Sequence, residues 1–127
     1  MSAITRLAGL RTLVVEDRYV IAREICRQLR TLGCHPIGPA PDIAKALALV
    51  DQLRPDCALL DVNLDHETAY PLAAELRRRS VPFLFATGYD QAVIPERFGD
   101  AVHLEKPFGL RELRAALIAM MAPDRVP

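Results

Sequence analysis

Residues 13–17 read Leu-Val-Val-Glu-Asp, a short β-branched run that ends on two adjacent acids. Short runs of this kind are typical of strands that are buried on both faces of a parallel sheet. The apolar residues that follow recur every three or four positions, at Ile21, Ile25, Leu29 and Leu32. This spacing predicts a helix that ends at Gly33. The stretch therefore predicts a strand–helix unit whose strand delivers two carboxylates at its carboxyl end.

The same alternation continues to the end of the chain. Apolar runs at residues 57–60 and 83–86 predict buried strands, and residues 34–38, which precede a Gly-Pro-Ala-Pro stretch, and 101–104 are expected to form two more. Apolar residues at helical spacing predict helices over residues 43–53, 70–79 and 110–120. Between Tyr89 and Ala101, Pro95 and Gly99 predict a short or irregular helix. We expect an α/β fold, a flavodoxin-like (βα)5 sandwich with a five-stranded parallel sheet in the order 2-1-3-4-5.

Length and composition narrow the class of protein. The 127 residues fit one domain, with residues 1–10 as an N-terminal extension and no room for an output domain. Sixteen basic and sixteen acidic residues argue against a nucleic-acid-binding surface or a polybasic membrane anchor. The three cysteines, at positions 26, 34 and 57, form no C-x-x-C pair and are expected to be reduced and structural. With no signal peptide and no long apolar run, the expected location is cytoplasmic.

Several chemically useful side chains follow the predicted strands. The first strand ends at Glu16 and Asp17, the third at Asp61, the fourth at Thr87 and the fifth at Lys106. Taken singly, these residues have ordinary explanations as helix caps, turn residues or a surface lysine. Capping does not explain why all of them lie at the edge where open α/β sheets bind ligands. Together they predict one polar site.

The residue types at this edge suggest phosphoryl chemistry. Clustered carboxylates raise one another's pKa unless a cation relieves them, and Mg²⁺ prefers such oxygen ligands. A carboxylate can also act as a nucleophile toward phosphorus and form an acyl phosphate. Thr87 can then donate a hydrogen bond to the bound phosphoryl group, and Lys106 can pair with it.

Four short motifs resemble the signature set of response-regulator receiver domains. They are Leu13-Val14-Val15-Glu16-Asp17, Leu60-Asp61, Ala86-Thr87 and Lys106-Pro107-Phe108. The resemblance implies that the chain is a receiver domain with Asp61 as the phospho-acceptor. It also implies a Mg²⁺ site formed by Glu16, Asp17 and Asp61, with Asp17 as the direct ligand among the two adjacent acids and the backbone carbonyl of Asn63 as a further one. Thr87 would be the switch hydroxyl, and Lys106 would be the phosphoryl-binding lysine.

A further stretch, Phe85-Ala86-Thr87-Gly88-Tyr89, is similar to the motif of a stand-alone receiver subgroup nicknamed "FAT GUY". That resemblance implies a phosphorelay, with a histidine kinase or phosphotransfer protein as donor and a separate downstream protein as target. The protein is expected not to be an enzyme, although slow autodephosphorylation of its phosphorylated form is expected. It is expected to be a monomer or a weak homodimer. Two roles stay open, the relay of a signal and the draining of phosphate from a relay.

The chain departs from the usual receiver pattern at two histidines. His103 lies three residues before Lys106, where most receivers have a tyrosine or phenylalanine switch. We therefore expect Tyr89 to take over the aromatic switch role beside Thr87. His66 lies where the loop after the acceptor often has glycine, so that loop is expected to be rebuilt.

Three other functions fit the sequence less well than a receiver does. Haloacid-type phosphatases usually show Asp-x-Asp after the first strand, whereas this chain has Glu16-Asp17. A flavin-binding flavodoxin would need a Ser/Thr-rich phosphate loop after that strand. A receiver-shaped interaction module that is never phosphorylated would not need the intact acidic set, Thr87 and Lys106.

Overall fold

Five parallel strands form the main sheet of the protein in the computed structural model, which describes residues 7–88 and 94–122. The strands in this part of the chain are β1 (Arg11–Val15), β2 (His35–Ala40), β3 (Cys57–Asp61), β4 (Asn63–Leu64), β5 (Glu67–Thr68), β6 (Phe83–Thr87) and β7 (Val102–Glu105). The main sheet has the order β2-β1-β3-β6-β7. Counted within that sheet alone, this is the order 2-1-3-4-5, so the predicted flavodoxin-like topology is confirmed.

Helices cover both faces of the sheet. They are α1 (Tyr19–Thr31), α2 (Ile43–Leu53), α3 (Tyr70–Arg78) and α4 (Leu110–Met120). Because successive strand residues point to opposite faces, Leu13 packs with α2 and α3 while Val14 packs with α1 and α4. Within the described residues, no helix combines the length and the apolar character that crossing a membrane requires.

The second strand is longer than the sequence predicted. The expected strand covered residues 34–38, whereas β2 continues through Pro39 to Ala40. Proline is tolerated here because β2 is an edge strand, where one side of the backbone has no neighbouring strand to bond. Gly38 has a φ of +99°, and a Cβ at this position would lie 2.8 Å from the amide nitrogen of Ala40. Only glycine fits this close turn of the edge strand.

The loop after β3 contains a small antiparallel hairpin, formed by β4 and β5, that the sequence analysis did not predict. His66 lies in its turn with a highly exposed side chain, and its Nε2 is 3.2 Å from Asp65 Oδ2. Two-residue strands are too short to show a periodic pattern, so no pattern of residues predicts them.

The described part of the segment before β7, residues 94–101, has the short, irregular helix that Pro95 and Gly99 predicted. Among the described residues it contains a 3₁₀ helix, Glu96–Phe98, and residues 89–93 lie outside the description. Phe98 is almost fully buried and stacks on Tyr70 with ring centroids 5.7 Å apart. This aromatic contact fixes the end of the segment to α3.

Three consecutive arginines, at positions 77–79, occupy the last turn of α3 and its C-cap. Arg77 lies over two aromatic rings, 5.5 Å from the centroid of Phe83 and 5.1 Å from that of Phe98. Arg77 therefore packs against aromatic side chains in addition to lying in the last turn of α3. The other two arginines form exposed ion pairs with Glu75.

All three cysteines are free and buried, as expected of structural thiols. Burial raises the pKa of Cys57 to about 12, and it raises the pKa of Cys26 and of Cys34 as well. A thiol with a raised pKa forms little thiolate, which is the reactive species. The geometry therefore supports a packing role for these side chains.

Candidate functional site

The candidate site lies where four parallel strands end at the same edge of the sheet. Glu16 directly follows β1, Asp61 ends β3, Thr87 ends β6, and Lys106 directly follows β7. Backbone hydrogen bonds continue the ladder beyond the strands, including one that Lys106 N–H donates to the Thr87 carbonyl over 2.8 Å. The sheet thus fixes the backbone positions of these four residues close to one another at one edge.

The ammonium group of Lys106 joins two carboxylates. Its Nζ donates to Glu16 Oε1 over 2.8 Å and to Asp61 Oδ1 over 3.0 Å. The Glu16 side chain is fully buried, and only 8% of the Asp61 side chain is exposed. Buried ion pairs of this kind depend on good geometry, because each charge has lost its hydration. The single positive charge of Lys106 therefore neutralises only part of the negative charge that the carboxylates bring to the cleft.

The charges in the cluster shift one another's protonation. Burial is the main reason that the pKa of Glu16 rises from 4.5 to about 7; the hydrogen bond from Lys106 opposes this rise, and the charge of Asp61 adds to it. Burial alone would lower the pKa of Lys106, but the hydrogen bond and charge of Glu16, together with those of Asp61, raise it. The cluster thus keeps its cation while one acid resists ionisation.

Three acids have ligand atoms close enough to share one metal ion. One oxygen from each of Glu16, Asp17 and Asp61 lies within 4.8 Å of the other two. Ligands of an octahedral Mg²⁺ at about 2.1 Å are about 3 to 4.2 Å apart, so a small adjustment of these oxygens suffices. The all-oxygen, negatively charged donor set fits Mg²⁺.

The structure distinguishes the two adjacent acids. Both oxygens of Glu16 are engaged, since Oε1 accepts from Lys106 and Oε2 accepts from the backbone N–H of Arg18 over 3.2 Å. Asp17 is half-buried and lines an open cleft together with Asp61, Asn63 and Lys106. The carboxylate of Asp17 is therefore better placed than that of Glu16 to reach an ion in the cleft.

The two described residues of the expected switch, Thr87 and His103, do not lie together at the acidic site. Thr87 is half-buried at the edge of the sheet, whereas Tyr89 lies outside the described residues, so its role stays a prediction. His103 lies opposite Phe85 in the sheet register, and the two rings stack with centroids 5.7 Å apart. Partial burial lowers the pKa of His103. This histidine therefore extends a cluster of aromatic rings on one face of the sheet and is not part of the acidic site; the other rings are those of Tyr70, Phe83, Phe85 and Phe98.

Two backbone groups in the site were not found from the sequence: the Arg18 N–H that binds Glu16 and the Thr87 carbonyl that binds the Lys106 amide. Backbone groups have no residue-type signature, so the spacing of side chains could not have revealed them.

A family model described as the response regulator receiver domain matches residues 12–118. The transcriptional regulatory protein PdtaR of Mycobacterium tuberculosis is 30% identical over 111 residues, which cover 84% of this chain and 54% of PdtaR. The transcriptional regulatory protein TcrA of the same species is 33% identical over 132 residues, covering 98% of this chain and 51% of TcrA. The chain thus spans about half the length of these curated relatives.

Similar solved structures include two of the protein SdrG. The solution structure of SdrG from Sphingomonas melonis Fr1 has a TM-score of 0.81 and 36% identity, over 96% of this chain and all of that one. The BeF3-activated conformation of SdrG gives a TM-score of 0.78 and 38% identity, with the same coverage.

The raised pKa of Glu16 predicts a pH-dependent stability for the metal-free protein. Because this carboxyl holds its proton more tightly in the folded state, the free energy of unfolding falls as the pH rises from about 4.5 to about 7. In Glu16→Gln this part of the pH dependence of the free energy of unfolding disappears, because the amide does not titrate. Urea unfolding at a series of pH values in the presence of a chelator measures both proteins. Identical pH profiles for the two would contradict the prediction.

Proposed function

This chain belongs to the response regulator receiver domain family, and we propose that it accepts a phosphoryl group on Asp61 in a Mg²⁺-dependent reaction. The observation that carries the proposal is the bridge of Lys106 Nζ between Glu16 and Asp61, beside a cleft that Asp17 lines. These contacts bring together a nucleophilic carboxylate, a cation for the transferred group and the donors for a divalent ion.

The chain's own residues have distinct parts in the transfer. A carboxylate oxygen of Asp61 attacks phosphorus in line, forming an O–P bond while the N–P bond of a phosphohistidine donor breaks and its electron pair stays on the imidazole. Asp17 and Asp61, with the carbonyl of Asn63, would hold Mg²⁺, which supplies neutralisation of the charge on the phosphoryl oxygens. Glu16 supports this set from the buried side through its bond to Lys106.

After transfer, the positive charge of Lys106 is available to the new phosphoryl oxygens. Its Nζ already lies 3.0 Å from an oxygen of the acceptor, so it can pair with the added group without a large movement of the backbone. Thr87, at the end of the neighbouring strand, can donate its hydroxyl to the same group. The added charge would then draw in the segment after β6 and repack the face formed by that segment, β7 and α4.

We also propose that the phosphoryl donor is a histidine kinase or phosphotransfer protein and that the switched face acts on a separate downstream protein in the cytoplasm. The similarity of residues 85–89 to the motif of stand-alone receivers supports action in trans. Slow autodephosphorylation, rather than turnover of a substrate, is the expected end of the cycle.

Incubation with acetyl phosphate and Mg²⁺ tests the proposed function. Wild type should gain the mass of one phosphoryl group, because the carboxylate of Asp61 is the only nucleophile that we assign to the site, whereas Asp61→Asn should gain none. Intact mass spectrometry measures the gain. Asp51→Asn, at an exposed acid of α2 that pairs with Arg79, is the matched control and should behave as wild type.

Removal of Mg²⁺ with a chelator should abolish the gain in wild type. Phosphorylation of Asp61→Asn to the same extent as wild type, or an equal gain without the metal, would contradict the proposal.

The assignment of Asp17 as the direct ligand has its own test. Asp17→Asn should weaken Mg²⁺ binding at least about tenfold, and Glu16→Gln should weaken it less, because the Glu16 oxygens are held by Lys106 and Arg18. Isothermal titration calorimetry of the unphosphorylated protein measures the affinity. Asp42→Asn, which keeps a capping side chain at the start of α2, is the control. A larger loss in Glu16→Gln would reverse the assignment.

A further inference from the structure

A polar side chain, Gln28, is buried on the face of α1 that packs against the sheet, next to the apolar Ile25 and Leu29. Only 6% of Gln28 is exposed, and within residues 7–88 and 94–122 its Oε1 has no hydrogen-bond donor. Burying an amide oxygen without a partner is unfavourable, so an apolar side chain would suit this position better if packing were its only role. The hydrogen bonds that the amide nitrogen donates therefore explain why a glutamine occupies this position.

The Nε2 atom of Gln28 donates to two oxygens. One is the backbone carbonyl of Phe108, at 3.1 Å, and the other is Glu24 Oε2, at 3.3 Å. Turning the amide over would place its oxygen against both acceptors, so these two contacts fix its orientation. Glu24 is itself held by Arg27, whose Nε lies 2.9 Å from Glu24 Oε1.

The carbonyl that Gln28 binds belongs to the segment that carries Lys106. Residues 106–109 connect β7 to α4, and Phe108 lies two residues after Lys106. The start of the segment is held by the Lys106 N–H bond to the Thr87 carbonyl, at 2.8 Å. Its end is held by the Gly109 N–H, which donates to Glu112 Oε1 over 2.9 Å. The bond from Gln28 holds the middle of the segment from a distant part of the chain.

We propose that Gln28 is a positioning residue for Lys106, a role that rests on the proposed function of the site. Transfer requires the ammonium to exchange an oxygen of the Asp61 carboxylate for phosphoryl oxygens on the same residue. That exchange is favourable only if the backbone at Lys106 stays in place while the side chain readjusts. By holding the Phe108 carbonyl against α1, the Gln28 amide keeps that backbone in place.

The variant Gln28→Met removes the donor and keeps a side chain of similar length. Phosphorylation by acetyl phosphate at saturating Mg²⁺ should slow about 3- to 10-fold, the range that one neutral hydrogen bond explains. Intact mass over time gives the rate. The same substitution at an exposed position of α2, Gln52→Met, should leave the rate unchanged. Gln28→Leu is the second variant, and both replacements are strong helix formers that suit apolar surroundings.

A double-mutant cycle separates positioning from general destabilisation. In the background Lys106→Met, adding Gln28→Met should slow phosphorylation no further, because the ammonium that Gln28 positions is gone. Equal slowing in both backgrounds would show that Gln28 acts on stability alone and would overturn the proposal.

Amide hydrogen exchange supplies a readout that does not depend on phosphorylation. In Gln28→Met, exchange at Lys106 and Gly109 should become faster, while exchange in the central strand β3 should stay as in wild type. Unchanged exchange at both amides would overturn the proposal. Faster exchange in a protein whose wild type gains no phosphoryl group would support the role of Gln28 in holding this segment and refute the proposed function of the site.

Discussion

The bridge that Lys106 forms between Glu16 and Asp61 is the interaction on which the site depends. Its three groups come from the ends of three strands, and Lys106 must reach across β6 to meet Asp61 at the end of β3. The acids are buried, so losing the lysine would leave two carboxylates together in a poorly hydrated place. Because the three side chains must meet, the carboxyl ends of β1, β3 and β7 must lie at the same edge of the sheet.

The parallel order of the sheet satisfies that constraint. Both faces are covered by helices, which lets the central strands β3 and β6 be apolar along their length and polar only at their last residue. The backbone ladder then continues one step beyond the strands, as in the 3.0 Å bond from Glu16 N–H to the Ala40 carbonyl. The acids are thus positioned by the same hydrogen bonds that build the sheet, and the metal site that we propose needs little further organisation.

The sequence predicted the parts that follow from local pattern. Buried parallel strands produce apolar runs, and the polar residues just after a run mark the edge of the sheet. Asp61 directly follows the third run, and Lys106 lies two residues after the fifth. Features that depend on contacts between distant segments were missed, among them the hairpin of β4 and β5, the aromatic environment of Arg77 and the bond from Gln28 to Phe108. A polar residue among the apolar positions of α1 was the only local sign of that last contact.

Locating the phosphoryl group tests the central claim most directly. Sodium borohydride reduces an aspartyl phosphate to homoserine, and peptide mass spectrometry of protein treated with acetyl phosphate and Mg²⁺ then identifies the modified position. We predict homoserine at position 61 and unmodified aspartate at position 17, because Asp61 is the acid that Lys106 holds at the cleft. Conversion at position 17 with Asp61 left intact would contradict this assignment of the site.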